Sequence, residues 1–417
     1  MQLQNQIKTM GFLSLGLSNF AFAGDSFDLY SENPIENPIV SEHSSAGWCD
    51  ALQSIGKLHK DSENPLVQEF SVFGRFQYQG AVVRGEDVNG DDFTEGVDEF
   101  RRVRVGAKAK FLKYFDVAAN INLFSDSRRS GGELDFGFQS FDTAVIGFDI
   151  KKAFGIDQLD KLHISYGRHK FSISHEANIS SKKIATVERS AISNRVFGSF
   201  RPTGVKLAAA KDQWDFLLGI YSTEEDDTFL ADWNESLAYQ GSIGYQATEE
   251  LKFLADFAYN DDNELETFQY EWAASLSTVY DNGTWGIATD LIYGDNGDEG
   301  NGQINGDRQG DFWGVVILPH YWLVKDRLQA VARYQYQGSE RSEGIRLSSR
   351  YAGRDNVVDA DVNDGRGDSH HSYYVGLNYH FCNHNAKILT GIEYDDLETP
   401  NGDVDAFTYW LAFRTFF

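Results

Sequence analysis

The chain has 417 residues, a formal net charge of −26, 14% aromatic residues, 39 Gly and only 6 Pro. This strong negative charge argues against nucleic acid as a partner, and no internal apolar run approaches the ~18 residues that a membrane-spanning helix needs. The many aromatic residues are typical of membrane β-barrels, whose walls carry aromatic girdles at both interfaces.

The N-terminus has the pattern of a secretory signal. Lys8 precedes the apolar run Met10–Leu17, and Ala21-Phe22-Ala23 resembles a cleavage site. We therefore expect residues 1–23 to be a signal peptide and the mature chain to begin near Gly24, outside the cytoplasm.

Residues 24–67 are acidic, contain three prolines and do not alternate, so we expect an irregular periplasmic lead-in. Cys49 lies in this segment, and the other cysteine of the chain is Cys382. By the strand count below, both lie on the periplasmic side, which favours a disulfide in an exported protein. Two unpaired thiols on the same side are the alternative.

From about residue 68 to residue 417 the sequence alternates with a period of two, which predicts an outer-membrane β-barrel. In the first strand, Phe70, Val72 and Phe76 share one face, and Arg75 and Gln77 share the other. We predict about sixteen antiparallel strands, an even number of the size found in porins. They lie near 70–80, 102–111, 115–123, 143–151, 162–170, 203–211, 214–221, 237–246, 251–260, 267–280, 284–293, 311–321, 326–337, 370–381, 386–394 and 406–417.

The last strand, Phe407–Phe417, shows the pattern most clearly, because its odd positions are almost all apolar over about ten residues. A soluble β-sandwich or β-helix is the alternative, but in such a fold this strand would form a long exposed edge that promotes aggregation. We expect the strand to close the barrel, and Phe417 to be recognised by the barrel-assembly machinery.

The connections alternate in length, as they do in bacterial barrels with short periplasmic turns and long external loops. Short connections lie at 211–213, 247–250, 281–283 and 383–385, and long ones at 84–98, 124–142, 171–202, 222–236, 294–310 and 338–369. The predicted fold class is an all-β transmembrane barrel in the outer membrane of a Gram-negative-type bacterium, in contact with lipid and lipopolysaccharide.

Two segments resemble the phosphate-selective porin O and P family. One is Glu99–Gly106, with the sequence Glu-Phe-Arg-Arg-Val-Arg-Val-Gly, and the other runs from Gly167-Arg168 through Ser180-Ser181-Lys182 to Glu188-Arg189. With the barrel pattern, the resemblance covers most of the chain from about residue 68.

The resemblance implies a trimer of sixteen-stranded channels with an inward-folded third external loop, passing small anions such as phosphate. The residues that match the family's anion site are Arg101, Arg102 and Lys182, with Ser181 and Asp142 beside them. One position departs from the family, because the Lys expected after the Glu at 176 is Ala177. This departure weakens the case for phosphate specificity, but it does not affect the case for a general anion channel.

The residues themselves point to the same place. The third loop carries Lys182, Lys183, Arg189, Arg195 and Arg201 against Glu176 and Glu188, and would face the strand that bears Arg102, Arg104 and Lys108. Guanidinium forks suit phosphate oxygens, and rings of Arg or Lys select anions in pores.

Some details stay open. Because Arg101 and Arg102 are adjacent, only one of them points inward in a regular strand. Either the strand end is bulged, or Arg101 lies above the membrane band at the mouth of the constriction. Arg102 shares the parity of Arg104 and Lys108 and is the better candidate for a lumen donor. Arg189 either faces solute or pairs with Glu188. The alternative for all these cations is that they are solvated or paired loop charges.

Opposing charges favour a weakly selective general porin as the alternative function. The inward positions of later strands carry the carboxylates of Asp215, Asp256, Glu271, Asp290 and Glu393. A lumen with one basic and one acidic wall discriminates poorly between anions and cations.

Arg366, in the seventh external loop, is expected to be a surface cation.

Other classes of function have less support. Two acidic stretches, 87–91 and 359–363, alternate oxygen ligands but lack the Gly that a calcium-binding EF-hand loop needs at its sixth position. We expect no metal, no cofactor and no enzymatic activity, since no nucleophile–His–acid arrangement stands out. A barrel plugged as a receptor or adhesin is the remaining alternative.

Overall fold

The computed structural model describes residues 47–124, 136–197, 201–223, 231, 233, 236–261, 268, 270–297, 306–347, 350–355 and 357–417. The expected signal peptide lies outside the described residues, and so does most of the second external loop.

The described part begins with the short helix α1 (Gly47–Ser54) and the strand β1 (Lys57–Lys60), which pairs with the first strand of the barrel. Regular structure therefore occupies part of the segment that we expected to be irregular. Cys49 of α1 is joined by a disulfide to Cys382, with 5.5 Å between their Cα atoms. The bond connects the lead-in to the turn at residues 382–385.

Sixteen antiparallel strands of the described ranges form a closed barrel, as the alternation predicted. They are β2 (Val67–Glu86), β3 (Asp92–Phe111), β4 (Phe115–Phe124), β5 (Phe136–Asp149), β6 (Lys161–Arg168), β7 (Thr203–Lys211), β8 (Trp214–Ser222), β9 (Leu237–Gln246), β10 (Leu251–Asn260), β11 (Trp272–Asp281), β12 (Trp285–Asp295), β13 (Asp311–Val324), β14 (Leu328–Ser339), β17 (Ser369–His380), β18 (Ala386–Thr399) and β19 (Gly402–Phe416). The last strand pairs with the first, in the register Phe413 opposite Tyr78. Closure leaves no free edge, which is why this sheet is tolerated in lipid.

Smaller elements connect these strands. The helices are α2 (Ile150–Phe154), α3 (His175–Asn178) and α4 (Ala191–Phe197), and 3₁₀ turns lie at Gly306–Arg308 and Asn363–Gly365. The strands β15 (Ile345–Arg346) and β16 (Arg366–Gly367) form a separate ladder. Among the described residues, no helix is both long and apolar enough to cross a membrane.

The alternation sorts side chains between lipid and lumen. In β19, Phe407, Tyr409 and Leu411 are exposed on the outer face, whereas Trp410 and Arg414 are buried on the inner face. Apolar exposure on one face only is the expected arrangement for a wall between lipid and water.

The predicted long loop at 84–98 is wrong. β2 and β3 each have 20 residues and are joined by a short turn at 87–91. A strand of this length extends about 65 Å, far beyond the ~25 Å apolar band. The segment looks like a loop because it is polar, but Val83 and Phe93 are buried and continue the inward alternation. β5 also begins at Phe136, so Asp142 lies inside a strand and not at its start.

The disulfide yields the first prediction. Unreduced, denatured protein should show no titratable thiols, and two should appear after reduction. Because the bond closes a loop with a sequence separation of 333 residues, its removal should destabilise the barrel by up to ~6 kcal/mol in the simplest entropic view. Thiol titration before and after reduction, with the temperature of unfolding in each state, provides the measurement. Two free thiols in the unreduced protein would contradict the bond.

Candidate functional site

The connection between β6 and β7, residues 169–202, is called the third loop here. Its described residues contact strands on widely separated parts of the wall. The N–H of Ser174 donates to Asp256 of β10 at 2.9 Å, Arg75 of β2 donates to the Ser181 hydroxyl at 2.6 Å, and Asn378 of β17 donates to the carbonyl of Ala185 at 2.7 Å. These contacts require the loop to lie within the ring of strands.

Carboxylates of the later strands hold one end of the third loop. Asp256 accepts from Ser174, and Asp290 accepts from the backbone N–H of His175 at 2.8 Å and of Glu176 at 3.2 Å. These donors are the first N–H groups of α3, which have no partner within the helix. Another inward acid, Asp215, lies 3.4 Å from the Lys252 ammonium. The acidic wall expected from the sequence is thus largely engaged in structural contacts.

Arg333 of β14 holds the middle of the third loop. Its guanidinium lies 2.5 Å from a Glu393 oxygen and 3.2 Å from a Glu176 oxygen, and it also donates to the carbonyl of Glu188 at 2.7 Å. All these groups are buried. Charges in such a place are stable only when they are paired and hydrogen-bonded, so this contact connects the wall firmly to the loop.

A cavity of about 120 Å³, called the basic cavity here, lies between the third loop and the wall formed by β2 to β7. Eight cationic side chains and one carboxylate line it among the described residues. The cations are Arg75, Arg102, Arg104, Lys108, Lys170, Arg189, Arg201 and Lys206, and the carboxylate is Asp142. The cavity therefore has a large excess of positive charge.

Asp142 orients two of these cations. Arg104 lies 2.6 Å from one of its oxygens and Arg201 lies 3.0 Å from the other. Both oxygens are occupied, so the carboxylate fixes the direction of two guanidinium groups and neutralises only part of their charge.

Phe197, at the end of α4, gathers three cations of the third loop. Lys170, Arg189 and Arg201 lie 5.3, 5.1 and 5.2 Å from the centre of its ring. The negative face of an aromatic ring attracts cations at this distance. The ring helps to keep like charges together at the cavity, and no pattern in the sequence indicates this contact.

A β-bulge resolves the question of the adjacent arginines. Gln77 faces Arg102 and Tyr78 faces Phe100, so Arg101 is the extra residue of β3. Arg102 lines the basic cavity and donates to Gln77 at 2.9 Å. Arg101 instead forms a two-point contact with Glu188, at 2.6 and 3.3 Å.

The Arg101 contact also governs the charge of Glu188. Burial raises the pKa of this carboxyl, but the charge and hydrogen bond of Arg101, together with the charges of Arg102 and Arg350, place the pKa well below its usual value. Glu188 is therefore charged, and its pairing with Arg101 attaches the third loop to β3.

Six of the eight predicted anion-site residues line the basic cavity: Arg102, Arg104, Lys108, Asp142, Ser181 and Arg189. Arg101 and Lys182 do not. The Lys182 ammonium is directed at two aromatic rings, 5.0 Å from the centre of Phe416 and 5.7 Å from that of Phe73, and the residue is only 2% exposed. It packs between the loop and the wall.

Three cations of the basic cavity were not predicted to line it: Arg75, Lys170 and Lys206. Lys206 was detectable, because it is a charged residue inside the apolar run of β7 and has an inward parity. Arg75 shares the inward parity of Gln77. Lys170 had no such signal, because its position depends on the path of the loop.

Arg366 is not the surface cation that we expected. It lies in the β15–β16 ladder and is only 4% exposed. The exposed Arg341, in the same external connection, is a better reference cation.

The two acidic stretches considered for calcium contact each other. Asp87 accepts from the backbone N–H groups of Asn89, Asp91 and Asp361. These hydrogen bonds lower the pKa of Asp87, and the bond from the Asp91 N–H has the largest effect. Its oxygens serve as an anchor between two external connections, and no group of metal-ligating side chains is found in the described ranges.

The family model of phosphate-selective porins O and P matches residues 70–267. No curated protein matches the chain. Among solved structures, an anion-selective porin from Comamonas acidovorans superposes with a TM-score of 0.54 at 9% identity, covering 83% of this chain and 99% of that one. OmpF from Salmonella typhi, in complex with daunomycin, gives 0.53 at 10% identity, with coverages of 86% and 99%. A loop-deletion mutant of OmpT from Vibrio cholerae gives 0.52 at 14% identity, with coverages of 84% and 99%. At these identities the structural likeness shows the porin fold.

The Arg333 contact yields the second prediction. Replacing Arg333 by Met leaves Glu176 and Glu393 buried without their cation, which should cost about 3–5 kcal/mol. We expect a lower temperature of unfolding and a noisier single-channel current, because the third loop loses its central attachment.

Arg341→Met is the matched control, since this side chain is exposed and should change stability by no more than about 0.5 kcal/mol. Equal melting temperatures for the two variants would show that the Arg333 contact does not hold the loop.

Proposed function

We propose that this chain is a porin of the phosphate-selective porin O and P family, whose model matches residues 70–267, and that it passes small anions through the outer membrane with a preference for phosphate or polyphosphate. The observation that carries the proposal is the excess of eight cations over one carboxylate in the basic cavity. A passive channel of this kind performs no chemical step.

Selectivity would arise where the passage is narrow and water is scarce. Arginine and lysine donors replace part of the hydration shell of the anion, and must do so weakly enough for release. Arg102 donates to a neutral amide, whereas Arg104 and Arg201 are partly neutralised by Asp142. Arg102 therefore retains more of its charge for a passing anion and is the strongest candidate for the central donor.

The acidic wall does not offset this charge in the basic cavity. Asp256 and Asp290 accept hydrogen bonds from the third loop, and Glu393 is paired with Arg333. Charge acts over only ~8 Å at physiological salt, so acidic residues at the external mouth would slow the entry of anions without setting selectivity at the cavity.

The departure at Ala177 is partly offset by a neighbouring cation. The Lys170 ammonium donates to the carbonyl of Ala177 at 2.8 Å and also lines the basic cavity. A positive charge is thus present next to the position where the family pattern has Lys. This supports phosphate as a solute, together with the Ser181 hydroxyl at the cavity wall.

The third prediction tests Arg102. Arg102→Glu changes the local charge by two units in a passage with reduced screening. We expect a fall in the chloride-to-potassium permeability ratio, measured as the reversal potential in a KCl gradient. Block of the chloride current by added phosphate should weaken by about tenfold, because one charge-assisted contact is lost.

Arg341→Glu is the control, because it makes the same change of charge at an exposed external position. Equal shifts of the reversal potential in the two variants would assign selectivity to the mouth and support the general-porin alternative. An absence of ion conductance in the native protein would support the plugged-barrel alternative.

Assembly is the fourth prediction. The resemblance to the family implies a homotrimer, and exposed outward side chains such as Leu291, Leu411 and Val375 supply apolar surface for lipid or a neighbouring barrel. The protein extracted in mild detergent should have the mass of a trimer by light scattering and dissociate on heating. A monomer under mild conditions would contradict the trimer.

A further inference from the structure

A second cavity, called the apolar cavity here, lies on the opposite side of the third loop from the basic cavity. Its volume is about 250 Å³, and it lies between the third loop and the strands β11 to β14. Of the residues that line it, only Ser180 also lines the basic cavity. The loop therefore separates two compartments of different chemistry.

The lining of this cavity is unusual for the lumen of a porin, where inward side chains are expected to be polar. The inward side chains of β13 include Val316, Leu318 and Trp322. The third loop faces them with Ile179 and Ile184. Apolar groups on both sides define a compartment that favours an apolar body over water.

One cation at this cavity has no ion pair among the described residues. It is Lys183, which follows Lys182 in the chain but lines the apolar cavity, whereas Lys182 packs against aromatic rings near β2 and β19. The two adjacent lysines thus serve opposite sides of the third loop.

The acids at the apolar cavity already have partners. Glu176 is paired with Arg333, Asp290 accepts the N–H groups of α3, and Asp281 lies 3.6 Å from His320. Imidazoles of His175, His320 and His384 also line the cavity and supply further polar atoms. The ammonium of Lys183 is accordingly available for an anion.

We propose that the apolar cavity binds organic anions with a compact apolar body, of the class of aromatic carboxylates. The ring packs against Trp322, Leu318 and the loop isoleucines, and the carboxylate meets the Lys183 ammonium. Size permits this, since a dry protein cavity of about 150 Å³ already takes up benzene. Tyr280 and His384 line the cavity beside short turns, so the site lies near the periplasmic end of the channel.

Phosphate and aromatic carboxylates are therefore two kinds of anion that different residues of the channel recognise. The fifth prediction uses single channels in planar bilayers and two probes, 3-phenylpropionate and propionate, at constant ionic strength. Both carry one carboxylate, and only the first has a ring. We expect 3-phenylpropionate to half-block the chloride current at a concentration about tenfold lower, because its ring is buried.

Trp322→Ala and Leu318→Asn should each reduce this preference by about fivefold, and Lys183→Gln should weaken block by both carboxylates by about the same factor. Matched controls are Tyr321→Ala, next to Trp322 on the outer face, and Lys325→Gln in an exposed turn. Neither control should change the block. Native KCl conductance and heat-dependent migration check that each variant is folded.

Block by phosphate separates this inference from the proposed function. It should depend on Arg102 and remain unchanged in the Trp322 and Lys183 variants. Equal block by the two carboxylates in the native protein would overturn the inference, and so would equal effects of Trp322→Ala and Tyr321→Ala. If Arg102→Glu does not change the block by phosphate, phosphate selectivity at the basic cavity is contradicted. The inference about the apolar cavity is not affected by that result.

Discussion

The structure depends on a set of buried ionic contacts that hold the third loop across the lumen. Arg333 lies between Glu393 of the wall and Glu176 of the loop, at 2.5 and 3.2 Å. A loop with polar backbone groups can occupy the interior of a barrel only if the wall supplies partners for them. Asp256 and Asp290 supply such partners at α3. Loss of Arg333 would leave the charges of Glu176 and Glu393 buried without a partner. Loss of Asp256 or Asp290 would do the same to backbone N–H groups of the loop.

These contacts decide which charges are available to a solute. Asp256, Asp290 and Glu393 of the later strands are engaged by the loop or by Arg333, whereas five cations of β2, β3 and β7 line the basic cavity. The inward charges alone predict opposed walls and weak selectivity. Most inward carboxylates, however, already have protein partners and are not available to a solute. The same loop divides the lumen, so that Lys182 and Lys183 are directed to different surroundings although they are adjacent. A channel with two chemically distinct compartments follows from the path of a single connection.

Errors of the sequence analysis have identifiable physical causes. The polar segment around residues 84–98 resembled a loop, but it is strand because Val83 and Phe93 are buried and β19 continues the ladder to Glu86. Arg366 looked like a surface charge because its neighbours are polar, yet it is buried in a short ladder that depends on distant pairing. The motif assigns Lys182 to the anion site, which stays a prediction; its ammonium lies near two rings from strands far away in the sequence, and the residue does not line the basic cavity.

The sequence by itself determined the barrel, its sixteen strands and their inward and outward faces, and six of the eight residues that it predicted for an anion site line the basic cavity. It could do so because a strand that separates lipid from water must alternate with a period of two, and this period is local. The tertiary structure alone decided which inward charges are paired, that Arg101 sits on a bulge and attaches to Glu188, and that Lys170 approaches Ala177. These features arise from contacts between the third loop and strands remote in the chain, and alternation carries no information about the path of a loop.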